Sequence, residues 1–233
     1  MEKMKKQIIR KIAISIFIMT VVVSVCNVSD VNALSSAQYT KQTVDRSTKY
    51  KKTKAEVYYQ LVQLKGDSSS IQKINNAIKK DCNKFLDSSN TKSLKGYAKI
   101  SKEKETYCWK AKASVKYNKK GIISILVDTY WWAGGVSNTN RYGLNYSLKT
   151  GKKIYIHQAC KKSKKATKKK IFKALKKKGY TKFLSKYAKK KLKKKKVKKY
   201  NFYIRKNGKI ITTFGPYEIE QGGHFAEFKV GKR

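Results

Sequence analysis

The sequence predicts an α+β fold: a single domain in which an antiparallel sheet carries packed helices, two of them lysine-rich and amphipathic. Three observations lead there. Runs of alternating apolar residues bounded by Gly and Asn turns read as strands. Ile71, Ile74, Ile78, Cys82 and Phe85 recur at helical spacing. From Lys161 to Lys199, 22 of 39 residues are lysine and none is acidic, yet the apolar residues keep a helical period.

The elements follow in order. Residues 1–11 carry Lys3, Lys5, Lys6, Arg10 and Lys11, and an apolar run from Ile12 to Val25 leads to Val31-Asn32-Ala33. This is the layout of a secretory signal peptide, with cleavage expected after Ala33; an uncleaved anchor is the alternative. The apolar run is short for a membrane span, which takes roughly 20 residues. Residues 34–54 are rich in Ser, Thr and Lys and read as a disordered linker before a domain over 55–233. Val57–Leu64 predicts a strand. Ser68-Ser69-Ser70 caps a helix that ends near Leu86, and 87–96 reads as a loop. Tyr107–Tyr117 and Ile122–Trp132 form a hairpin about Asn118–Gly121. Ala133-Gly134-Gly135 breaks the chain, Tyr142–Leu148 alternates again, and a Gly151 turn leads into Lys153–His157, where His157 reads as structural. Two amphipathic helices flank Gly179. Phe202–Ile204 and Lys209–Phe214 flank Asn207-Gly208, a strong hairpin signal, and His224–Val230 is the last strand.

Charge bounds the function. The chain has 53 lysines, five arginines and 13 acidic residues, a net +45; beyond residue 33 it is +42. Residues 129–217 hold no carboxylate. Lysines four apart on a helix repel by about 0.2–0.5 kcal/mol per pair, and a bound polyanion relieves that repulsion. The candidate polyanion surface is Lys186, Lys189, Lys190, Lys191, Lys193, Lys194, Lys195, Lys196, Lys198 and Lys199. The alternative is a solvated face in an organism biased toward lysine codons. Lysine is a point charge without arginine's bidentate fork, which argues against sequence-specific nucleic-acid readout. The expected partner is an anionic cell-wall polymer or membrane surface, with a protein partner second, and the chain is expected to be a monomer.

Catalysis has little support. Trp131, Trp132, Glu218 and His224 form a candidate cleft, in which carboxylate and histidine could do acid–base work, but no nucleophile stands out. Cys82, Cys108 and Cys160 are scattered and odd in number, so they read as unpaired thiols. With no CxxC, neither a metal nor any other cofactor is expected.

Three segments carry a resemblance. They are Tyr59-Gln60-Leu61 with Ile74-Asn75-Asn76-Ala77-Ile78; Tyr130–Gly135 with Leu144–Lys152; and Phe214–Ile219 with Gly222–Phe228. Together they resemble the extracellular domain of the RsiV type, found in a lysozyme-sensing anti-sigma factor and beside a peptidoglycan deacetylase domain, over roughly residues 55–230. The resemblance implies an extracellular, envelope-facing binding domain; with the scant support for catalysis, the expected function is non-catalytic binding. Where that family often has histidine after Gly-Gly-Ala, this chain reads Val136-Ser137 after its glycine pair. Common lysozymes are basic, and like charges slow encounter, so a lysozyme-type sensor or inhibitor is the second reading and an envelope hydrolase the third.

Overall fold

The structure is a computed structural model that describes residues 35–135, 137–180, 184, 186–219 and 224–233. The expected signal peptide lies outside the described residues. The strands are β1 (Tyr39–Asp45), β2 (Thr48–Lys49), β3 (Lys54–Leu64), β4 (Thr106–Lys119), β5 (Ile122–Trp132), β6 (Ser137–Ser147), β7 (Asn201–Ile204), β8 (Lys209–Phe214) and β9 (Ala226–Lys232). The helices are α1 (Ser69–Leu86), α2 (Ser89–Ile100), the single turn α3 (Ile156–Ala159), α4 (Lys164–Lys177) and α5 (Lys186–Lys194), followed by a 3-10 turn at Val197–Lys199.

The strands form two sheets. The larger runs β1-β3-β4-β5-β6, with β2 also on β3; the smaller runs β7-β8-β9. Every pairing is antiparallel except β3 with β4. A parallel pair needs a crossover, and α1 and α2 supply it. The α+β class expected from sequence holds, with this parallel pair and the second sheet as additions.

Four expectations need correction. Residues 39–45 are not linker but an edge strand whose Tyr39–Asp45 pair with Leu64–Tyr58. Their polar side chains suit an exposed edge as well as a linker, and charged or polar edges resist aggregation. Asn118 ties down the preceding segment, donating to the Ala37 carbonyl at 2.7 Å and accepting from the Ala37 N–H at 2.9 Å. The loop expected at 87–96 is mostly α2, capped by Ser88, whose hydroxyl accepts from the Thr91 N–H, and anchored by buried Leu94 and Ala98. Its apolar residues are too few to give a periodic signal. β6 begins at Ser137 rather than Tyr142, and His157 sits in the turn α3 rather than at a strand end.

Two cores result. The first lies between the large sheet and α1, with Tyr59, Ile74, Ile78, Leu86, Ile123 and Ile125 among its buried side chains. The second joins α4, α5 and the small sheet through Ile171, Leu175, Leu192, Phe202, Phe214 and Phe228. A bulge between Val115 and Tyr117 turns Tyr117 from the first core to the second. The sheets meet through polar bonds: Asn145 donates to the Phe202 carbonyl at 2.7 Å, and the Ile204 N–H donates to the Ser124 hydroxyl at 2.9 Å.

Candidate binding grooves

Helix α4 begins at the Ser163 cap and buries Thr167, Ile171 and Leu175, so its lysines are left on the outer side. In α5 the buried anchor is Leu192. Lys168 reaches across to donate to the carbonyls of Lys193 and Lys195, the latter at 3.2 Å. That places a cation at the negative end of α5. Tyr200 donates to the Leu192 carbonyl at 2.9 Å, and burial pushes its phenol up to about 12.

Between α5, the 3-10 turn and the β8–β9 connection lies a groove of about 940 Å³. Its walls include Lys190, Lys191, Lys194, Lys195, Lys196 and Lys199, with Pro216, Tyr217 and Glu218 opposite. Lys195 is half-buried: it pairs with Glu218 and lies 5.0 Å from the Tyr200 ring centroid. Glu218 also accepts from the Gly215 N–H at 3.2 Å. This lysine therefore holds the turn, while the other five are exposed. Lys186, Lys189, Lys193 and Lys198 are exposed but do not line the groove.

A second groove, of about 410 Å³, shares Pro216 and Tyr217 with the first. Its other walls are Asn90 from α2, Trp109 from β4, Thr129 and Trp131 from β5, and Asn138 and Asn140 from β6. Pairing sets the array: Trp109 lies opposite Trp131, Trp131 opposite Asn138, and Thr129 opposite Asn140. Trp109 is held from beneath by Phe85, stacked at 4.2 Å, and its indole N–H donates to Ser88 at 3.3 Å. Tyr217 has φ of 58° and is 65% exposed; a side-chain residue in that region is strained, and such strain gathers at ligand sites.

The expected cleft is only partly assembled. Trp131 lines the second groove, whereas strand alternation points Trp132 to the other side of β5, its ring edge-on to Tyr107 at 5.7 Å. Glu218 belongs to the lysine groove, and His224 is exposed just before β9, lining none of the grooves described above. Among the described residues no group of three or more His, Cys, Asp or Glu side chains is placed to hold a metal ion. Cys82, Cys108 and Cys160 are free thiols, and burial pushes Cys82 up to about 11. Sequence reasoning missed Trp109, Asn138, Asn140 and Tyr217 as groove residues. One signal was present: Asn138 and Asn140 are amides two apart on a strand, where alternation calls for apolar side chains.

A protein-family model described as Deacetylase PdaC matches residues 34–137. The match starts before β1, in agreement with a domain that includes the presumed linker. No curated protein matches the chain. Two crystal structures of DUF3298 family proteins share the fold. One, from Pseudomonas aeruginosa PAO1, has a TM-score of 0.51 at 11% identity, covering 85% of this chain and 93% of that one. The other, from Bacteroides fragilis NCTC 9343, has a TM-score of 0.54 at 12% identity, covering 86% and 92%. Residues 34–137 are thus PdaC-like in sequence, and most of the chain shares the fold of the DUF3298 structures.

Proposed function

We propose that this protein is a secreted, non-catalytic domain of the RsiV-like kind that binds anionic polymers of the cell envelope. The observation that carries this reading is the groove beside the Pro216–Glu218 turn, walled by five exposed lysines besides Lys195, which pairs with Glu218. A concave cationic surface with low-dielectric walls concentrates field lines and raises the local concentration of anions. The export-like N-terminus and the PdaC-like stretch 34–137 are in keeping with an extracellular location. Among the described residues, no helix is long and apolar enough to cross a membrane. The lysines supply attraction at about 1 kcal/mol each near an anionic surface. Lysine suits this loose attraction better than specific readout.

The test is sedimentation with purified walls, with and without teichoic acid, over a salt series. Binding should depend on the anionic polymer and fall steeply as salt rises. Replacing Lys190, Lys194, Lys196 and Lys199 together by Gln should weaken it on the order of a hundredfold or more, given four lysines at that energy. Binding unchanged in the fourfold variant would count against the reading.

A further inference from the structure

We infer that the second groove is a binding site for uncharged sugar residues, with Trp131 and Asn138 at its centre. This inference goes beyond the polyanion reading and does not depend on it.

The chemistry of the lining carries it. In a chain of net +45, the groove wall holds no charged side chain: Asn90, Trp109, Thr129, Trp131, Asn138 and Asn140 are joined only by Pro216 and Tyr217. Three amides and a hydroxyl offer donors and acceptors together. Two indoles and a phenol ring offer flat apolar faces with polar handles. A ligand that matches both must be neutral, dense in hydroxyls and apolar on one face, which describes a pyranose ring. The groove volume falls in the ~300–1,000 Å³ range of small-ligand clefts.

Two atoms sharpen the assignment. Trp131 Nε1 and Asn138 Oδ1 are buried without a hydrogen-bond partner, one a donor and the other an acceptor. They belong to residues directly opposite each other on β5 and β6. Native proteins leave few such groups unpaired. A hydroxyl can both accept from an indole N–H and donate to an amide oxygen, so a sugar hydroxyl in the groove is a fitting partner for either atom once a small side-chain shift uncovers it. The platform is rigid: Trp109 is clamped by Phe85 and Ser88, and the amides sit on a paired strand rather than a loop. Exposed Tyr217 stands at the lip and also lines the lysine groove, so a glycan seated here could pass its anionic substituents to the lysines.

The experiment uses two neutral probes, the tetramer of β-1,4-linked N-acetylglucosamine and cellotetraose, in about 0.5 M salt, where the Debye length is only a few ångströms. The chain has three tryptophans, so three indole N–H signals report by NMR. At least one tetrasaccharide should bind saturably and shift the Trp131 and Trp109 signals while leaving Trp132 in place. Asn138→Ala and Tyr217→Ala should each weaken binding by about tenfold, a 1.4 kcal/mol change, with an unchanged circular dichroism spectrum. The fourfold lysine-to-glutamine variant should bind the neutral sugar as the wild type does. Failure of both sugars to bind at millimolar concentration, shifts confined to Trp132, or loss of sugar binding in the lysine variant would each overturn the assignment. So would saturable binding of oligothymidylate at this groove in the same salt without sugar binding, because that would make it a base-stacking site.

Discussion

Gly143 shows how one residue holds the two sheets together. A Cβ there would stand 1.8 Å from the Phe202 carbonyl oxygen, so β7 can cross β6 only over a glycine. Gly143→Ala should cost about 3 kcal/mol or more, at the upper end of overpacking because the obstacle is backbone; urea denaturation reads this directly. Asp81 is the second such point. Its Oδ2 accepts from the Tyr59 and Tyr142 hydroxyls at 2.8 and 2.7 Å. Burial first pushes both phenols well above the ordinary tyrosine value; the charges of Tyr142 and Asp81 add to this for Tyr59, and Asp81 adds to it for Tyr142 while the Tyr59 hydroxyl offsets part of it. A raised folded-state value favours the neutral phenol, so its stabilisation is complete below about pH 10 and is lost as the pH climbs above that. Tyr142→Phe should therefore be less stable than wild type at pH 7 by about 1 kcal/mol, and the gap should close as pH rises beyond 10. Urea midpoints that keep a constant difference from pH 7 to 11 would contradict this. That Tyr59 and Tyr142 lie on strands was legible in sequence, but their meeting at Asp81 was not. Nor was the clash at Gly143, because it depends on a strand 59 residues away.

At the scale of elements, the long strands and α1 were the most legible, because each buries one face and so alternates at its own period. β5 matched its expected span, Ile122–Trp132. Edges and short helices were not: β1 is held by backbone bonds that polar side chains do not announce, and α2 by a cap and two buried residues. The β9 edge shows an added device. Glu227 accepts from Arg141 of β6 at 3.2 Å and from Arg205 after β7 at 3.3 Å, and Arg141 also pairs with Asp128 of β5 at 2.5 Å. The network bridges the two sheets. Glu227→Gln should destabilise by about 1–2 kcal/mol, between the values for exposed and buried pairs, and Glu227→Asp, which keeps the charge, should recover part of that loss. Thermal melts of the three proteins make the comparison. In α4 and α5, Lys165–Lys169, Lys169–Lys173, Lys186–Lys190 and Lys190–Lys194 stand four apart. Each such pair opposes the helix by a few tenths of a kcal/mol. Raising salt from ~10 mM to ~0.5 M should therefore raise Tm, and a Tm that falls would show that repulsion does not limit these helices.

For the whole molecule, charge and fold turn out to be separate matters. The order of amino acids alone carries the α+β class, the main strands and helices, the position of the lysine-rich helices and the excess positive charge. It could do so because periodicity and composition are local properties of the chain. It also marked Trp131 as a residue of interest, though for the wrong neighbours. Three-dimensional packing sets which lysines share a groove, pairs Lys195 with Glu218, and holds Trp132 and His224 apart from Trp131. It alone revealed a neutral aromatic–amide groove inside a strongly cationic protein, because that groove draws on α2, three strands and the β8–β9 turn. Strand register and the crossing of the two sheets bring those pieces together, and neither is written in the spacing of residues along the chain.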